Sequence, residues 1–161
     1  MHPRAEELVH RLRLEPHPEG GFYREVFRSA LRVQPEDARP PRSALTLIYF
    51  LLVDGGCSRW HRVASDEAWS WVEGDALELL WIDAALDGFT RELLGAPGED
   101  REAAAVIPAG DWQAARTTGA YTLVTCAVGP GFDFADFTML SELPDLAAEV
   151  SRRHPDAVAF V

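Results

Sequence analysis

From Phe22 onward the chain is cut into short runs of aromatic and branched residues by clusters of Gly, Pro and Asp. This is the punctuation of an all-β protein. It predicts strands over 22–28, 44–53, 59–63, 68–73, 77–83, 90–94, 104–107, 113–117, 121–128 and 132–138. Their number and spacing suit a sandwich or barrel. Alternation assigns faces: Trp69 and Trp71 share one side of their strand, as do Leu77, Leu79 and Trp81, and then Phe132 with Phe134.

Short helices bracket this region. Pro3, Ala5, Leu8, Val9 and Leu12 make one apolar helical stripe with Pro in the first turn. Residues 143–153 carry Leu146 and Val150 one turn apart, with Arg152 and Arg153 complementing the helix dipole and Pro155 stopping it. Between the first helix and the first strand, Pro16, Pro18, Gly20 and Gly21 shape a loop. Residues 31–43, with three prolines, are expected to form a mobile loop, and 96–102 a shorter one. No stretch resembles a linker or a repeat, so residues 1–161 are expected to form a single domain.

The formal net charge of -11 argues against nucleic acid or an anionic membrane surface as a partner. The longest nearly apolar run, 44–53, falls well short of the roughly 20 residues of a spanning helix. Charges near Met1 occupy the place where a signal peptide needs its apolar stretch. Two cysteines, Cys57 and Cys126, are therefore expected as reduced thiols in a cytoplasmic protein. The strand 44–53 lacks polar alternation, so both of its faces need cover. A second subunit would supply it, which predicts a homodimer.

The segment with most chemistry is 55–74, which contains Gly55, His61, Glu67 and Gly74. Alternate strand residues point the same way, so a His and a Glu on adjoining strands can aim into a barrel. This spacing resembles the first signature of the cupin superfamily, whose second His position is here Val63. The second cupin signature resembles 106–113, with Pro108 and Gly110 in place and Gln113 where a ligand His would stand. The resemblance implies a double-stranded β-helix, the cupin jelly-roll barrel, with short N- and C-terminal helices. Of the His-rich metal set of that superfamily the chain keeps His61 and Glu67. No cofactor is therefore expected; a divalent transition metal, if bound, would be held by His61, Glu67 and Gln113.

Five blocks in order also resemble the uncharacterised Cupin_5 family: 16–25, 61–69, 108–115, 121–124 and 130–134. The departure is Ser70, where that family usually carries a His. The block 20–25 is more weakly similar to metal-independent nucleotide-sugar epimerases of the same barrel class, which use a His base and a Tyr acid. That likeness implies a catalytic His61, a Glu67 orienting its ring, and Tyr23 or Tyr49 as acid. Arg24 and Arg62 would hold an anionic group, Trp60 or Trp69 would stack on a ring, and Gln113 and Phe132 would complete the wall. His17, between two prolines, is expected as a turn residue, and His10 and His154 as solvated. The function so expected is binding of a small polar or anionic molecule, with metal-independent isomerisation or epimerisation at His61. The alternatives are a metal-dependent oxygenase or isomerase and a sensing module without chemistry.

Overall fold

The computed structural model describes residues 1–160. After helix α1 (Pro3–Leu12) come β1 (Glu15–Pro16), β2 (Phe22–Arg28), β3 (Arg32–Val33), β4 (Arg42–Ser43), β5 (Thr46–Val53), β6 (Cys57–Val63) and β7 (Asp66–Gly74). Then follow β8 (Leu77–Ile82), β9 (Phe89–Leu94), β10 (Ala104–Ile107), β11 (Trp112–Thr117), β12 (Tyr121–Gly129), β13 (Phe137–Met139) and helix α2 (Pro144–Arg153). One antiparallel sheet has the order β1-β2-β5-β12-β7-β10, and a second has β13-β6-β11-β8-β9. The two inner faces meet in a jelly roll.

Three apolar clusters make four layers. Between the sheets lie Phe50, Leu52, Trp69 and Val124 from the first and Leu77, Leu79 and Ala115 from the second. The outer face of the second sheet, with Trp60, Leu80 and Trp112, is sealed by Val150 of α2 and by Ala157 and Phe160 beyond it. The outer face of the first, with Leu51 and Leu123, is sealed by Ala5 and Leu8 of α1. The double cover that β5 demands thus comes from the second sheet on one face and, around Leu51, from the chain's own first helix on the other.

Two expectations about elements change. Residues 132–138 are not one strand: a 3-10 turn, Phe134–Asp136, precedes the short β13, with the Asp133 carboxylate capping it through the Ala135 N–H. Residues 31–43 are not an open loop either, since β3 and β4 pair as a ribbon. Arg42 grips Asp136 with two hydrogen bonds of 2.8 Å, and Arg39 reaches Asp136 and Ser65. Charge-assisted forks of this kind hold irregular backbone in place.

Leu51 is fully buried beneath α1. Truncation to Leu51→Ala is expected to cost roughly 2–5 kcal/mol of stability. Urea denaturation checks it; a loss well under 1 kcal/mol would show that α1 does not seal this face.

Candidate functional site

A cavity of about 310 Å³ opens between the sheets, walled by both. Its walls are mostly apolar: Ile48, Phe50, Val63 and Val128 from strands, and Phe132, Phe134 and Phe137 from the turn before and into β13. Its polar groups are gathered around His17, Glu19, His61 and Glu67. That combination of apolar wall and few converging polar groups is the usual form of a small-molecule site.

His61 points inward because of an irregularity in β6. In the pairing with β11, Gln113 faces His61 while Ala115 faces Ser58, so β6 spends one residue more than its partner. This bulge lets Ser58 and His61 both face inward at odd spacing, while Trp60 between them turns to the outer cluster. The bulge also brings the Arg59 carbonyl to 2.8 Å from His61 Nδ1. A carbonyl only accepts, so Nδ1 carries the proton, and neutral His61 presents a bare Nε2.

Facing that nitrogen at 3.3 Å is Oε2 of Glu19. Glu19 comes from the Pro-Gly loop and is 5% exposed. The Ser58 hydroxyl donates to its Oε1 at 2.8 Å. On its other side Oε2 lies 3.4 Å from Nδ1 of His17, and that nitrogen accepts the Glu19 backbone N–H at 3.3 Å. Two neutral imidazoles therefore turn bare nitrogens to one carboxyl oxygen. One proton, on Glu19 or on His61, satisfies the group. The electrostatics agree: burial raises the Glu19 carboxyl to about 7, against the opposing pull of His17, Ser58 and Arg59. Burial also draws both His17 and His61 below the usual imidazole range.

Glu67 is set by a different chain of bonds. Trp69 Nε1, which can only donate, reaches Gln113 Oε1 at 2.9 Å, and this fixes the amide so that its Nε2 donates to Glu67 Oε2 at 2.6 Å. Burial, with Glu19 adding repulsion, raises the Glu67 carboxyl to about 7; His61 and the bonds from Gln113 and Cys126 oppose the rise. The Cys126 thiol, buried beside both carboxyls, is pushed up and stays protonated. Cys57 and Cys126 are unpaired.

Of the residues expected at the site, His61, Glu67, Tyr23 and Phe132 line the cavity, and Gln113 stands behind Glu67. The others do not reach it. Arg24 and Tyr49 are register partners on the outer face of the first sheet, where Tyr49 packs in the α1 cluster. Arg62 lies over the outward-facing Trp112 ring at 4.8 Å. Trp60 donates to the Ala157 carbonyl in the outer cluster, and Trp69 is in the dry core. Ser70 alternates with the inward Glu67 and Trp69 and so faces away, where it pairs with Thr125 and Ala104. Its departure from the family pattern does not touch the cavity.

Glu19 and His17 enter the site unexpectedly. Their signal was the block 16–25 itself, because a carboxylate inside a Pro-Gly loop that must pack against β6 cannot stay solvated. The arrangement does not suit a transition metal on His61, Glu67 and Gln113. Gln113 commits its oxygen to Trp69 and turns its N–H groups to Glu67, and Val63 adds only apolar wall.

A jelly roll whose cavity carries this His and Glu on the cupin spacing defines a cupin. The chain belongs to the family Cupin_5 of the cupin superfamily (DUF985), whose profile matches residues 6–140. A hypothetical protein from Leishmania major is 35% identical, with 94% of this chain and 93% of that one aligned at a TM-score of 0.81. A structural-genomics protein from Shewanella oneidensis is 30% identical over 97% and 96% of the two chains, at 0.85. Bacillus subtilis oxalate decarboxylase, 12% identical over 85% of this chain and 33% of its own, shares the fold at 0.60. No curated protein matches.

A carboxyl raised from 4.5 to about 7 binds its proton in the folded state where the unfolded chain has lost it. Its contribution to stability therefore falls as pH rises through that window and is flat above it. Glu67→Gln is expected to melt near wild type at pH 5 and above it at pH 8, by up to about 3 kcal/mol. Equal differences at the two pH values in calorimetry would contradict the raised carboxyl.

Proposed function

We propose that the cavity is a proton-transfer site for a small organic molecule, in the manner of isomerases and epimerases that work without a metal. The observation that carries this reading is His61 Nε2 held bare by the Arg59 carbonyl, 3.3 Å from a buried Glu19 carboxyl that titrates near neutrality. A base is most effective when its proton affinity lies near the working pH. His61 takes the proton from the substrate, Glu19 shares it, and the same pair returns it. His17 holds Glu19 from the far side, while Tyr23 stands edge-on to the His17 ring at 4.5 Å.

The charge of the cavity changes the expected ligand. Arg24 and Arg62 lie outside, and Arg28, the one cation lining the cavity among the described residues, is already forked onto Glu25 at 2.7 and 2.9 Å. Nothing there favours a phosphate or sugar nucleotide. A compact molecule with an apolar body fits the phenyl wall and the volume.

Proton NMR in deuterium oxide tests the chemistry, with small ketones, amino ketones and lactols screened for exchange at carbon. Wild type is expected to exchange at least one of them, and His61→Gln to lose that by 10²–10⁴-fold. Exchange undiminished in His61→Gln, or absent throughout, would remove the catalytic reading. Elemental analysis of protein purified without chelator is expected to give less than a tenth of an equivalent of iron, manganese, nickel or zinc. A stoichiometric metal would replace the metal-free reading.

A further inference from the structure

We propose that the ligand of this cavity carries a protonated amine, and that this ammonium group enters in exchange for the proton held between Glu19 and His61. The inference rests on the cavity being a small-molecule proton-transfer site and adds the chemical class of what it takes.

The reason begins with hydrogen-bond inventory. His61 Nε2, Glu19 Oε2 and the carboxyl of Glu67 all belong to cavity-lining residues, and in their neutral-imidazole, ionised-carboxylate forms all three are acceptors. The donors nearby are spent elsewhere. Ser58 is used on Glu19 Oε1, Gln113 Nε2 on Glu67 Oε2, and the His61 Nδ1 proton on the Arg59 carbonyl. An occupant that completes this group must donate. An ammonium offers three N–H donors and no acceptor, whereas a carboxylate or phosphate offers acceptors only.

Charge and wall chemistry agree. The charged or titratable residues that line the cavity are His17 and Glu19 from the loop, Tyr23, Glu25 and Arg28 from β2, His61 from β6, Glu67 from β7, Cys126 from β12 and Asp133 before the 3-10 turn. Arg28 is neutralised by Glu25, so the balance is negative wherever the buried carboxyls ionise. Beside them Phe132, Phe134 and Phe137 stand 5.0–6.1 Å apart with interplanar angles of 69–81°, the three walls of a box corner. Aromatic corners attract organic cations through the ring quadrupole. A divalent metal ion would have to shed its water against those same rings, and gains nothing from them.

Without ligand, the proton shared by His61 and Glu19 fills the place that the ammonium takes. An arriving ammonium stabilises the ionised carboxyls, so that proton leaves to solvent.

The experiment is calorimetric titration of the full chain with benzylamine, benzyl alcohol and benzoate, in buffers of different ionisation enthalpy at pH 6, 7 and 8. Benzylamine is expected to bind at least tenfold tighter than the alcohol, with benzoate weakest. Its affinity should rise with pH, and it should release a measurable fraction of a proton near pH 7. Glu19→Gln should reduce that proton release to the share that Glu67 gives up, and circular dichroism of the same variant confirms that it is folded. If it is not folded, Glu19→Asp with its shortened reach is expected to weaken benzylamine at least fivefold. Benzyl alcohol or benzoate binding as tightly as benzylamine, or amine binding without proton release, would overturn the ammonium inference and leave the cavity as a small-molecule site. Binding of none of the three, with no exchange in the NMR screen, would overturn both.

Discussion

A chain of two hydrogen bonds, from the Trp69 indole through the Gln113 amide to the Glu67 carboxyl, ties the two sheets together where the dry core ends and the cavity begins. Trp69 and Glu67 sit on β7 and Gln113 on β11, so the amide of one sheet is clamped by two groups of the other. Because indole can only donate, the direction of the whole chain is settled at its buried end. The orientation of Glu67 follows from that. Gln113 must donate to Glu67 and Glu67 must accept, a bond that eases the ionisation of a carboxyl whose burial makes ionisation costly.

The second carboxyl makes the site unusual. Glu19 reaches the same cavity from a loop, and its field is one of the reasons Glu67 resists ionisation. Two acids that each titrate near neutrality, beside two imidazoles that resist protonation, leave the cavity able to gain or lose a proton with little change in free energy. Reactivity at neutral pH needs that property, and a purely structural polar cluster does not.

Much of the barrel was legible because strand periodicity and turn chemistry are local. Phe22–Arg28, Thr46–Val53 and Leu77–Ile82 begin and end within two residues of where their patterns place them. The site was legible only in part. His61 and Glu67 come with the cupin spacing and strand alternation, and Tyr23 with the weaker likeness to the epimerases, whereas Glu19 and His17 arrive through a loop whose path depends on its hydrogen bonds to β6. Arg24, Tyr49, Trp60, Arg62 and Trp69 have the right chemistry on the wrong face or the wrong side of the core. Facing is decided by register, and the bulges in β2 and β6 reset register midway along a strand. Phe132 lines the cavity although its backbone is not a strand, since the turn delivers it after the sheet has ended.

The bulge in β6 makes the length of 59–60 as consequential as its composition. Removing one residue there would restore an even ladder in which Ser58 and His61 still share the inner face, two positions apart. What would go is the extra peptide whose carbonyl holds the Nδ1 proton of His61. Without that acceptor nothing would fix the tautomer, so the length of the segment, more than the identity of Arg59, is what keeps Nε2 bare.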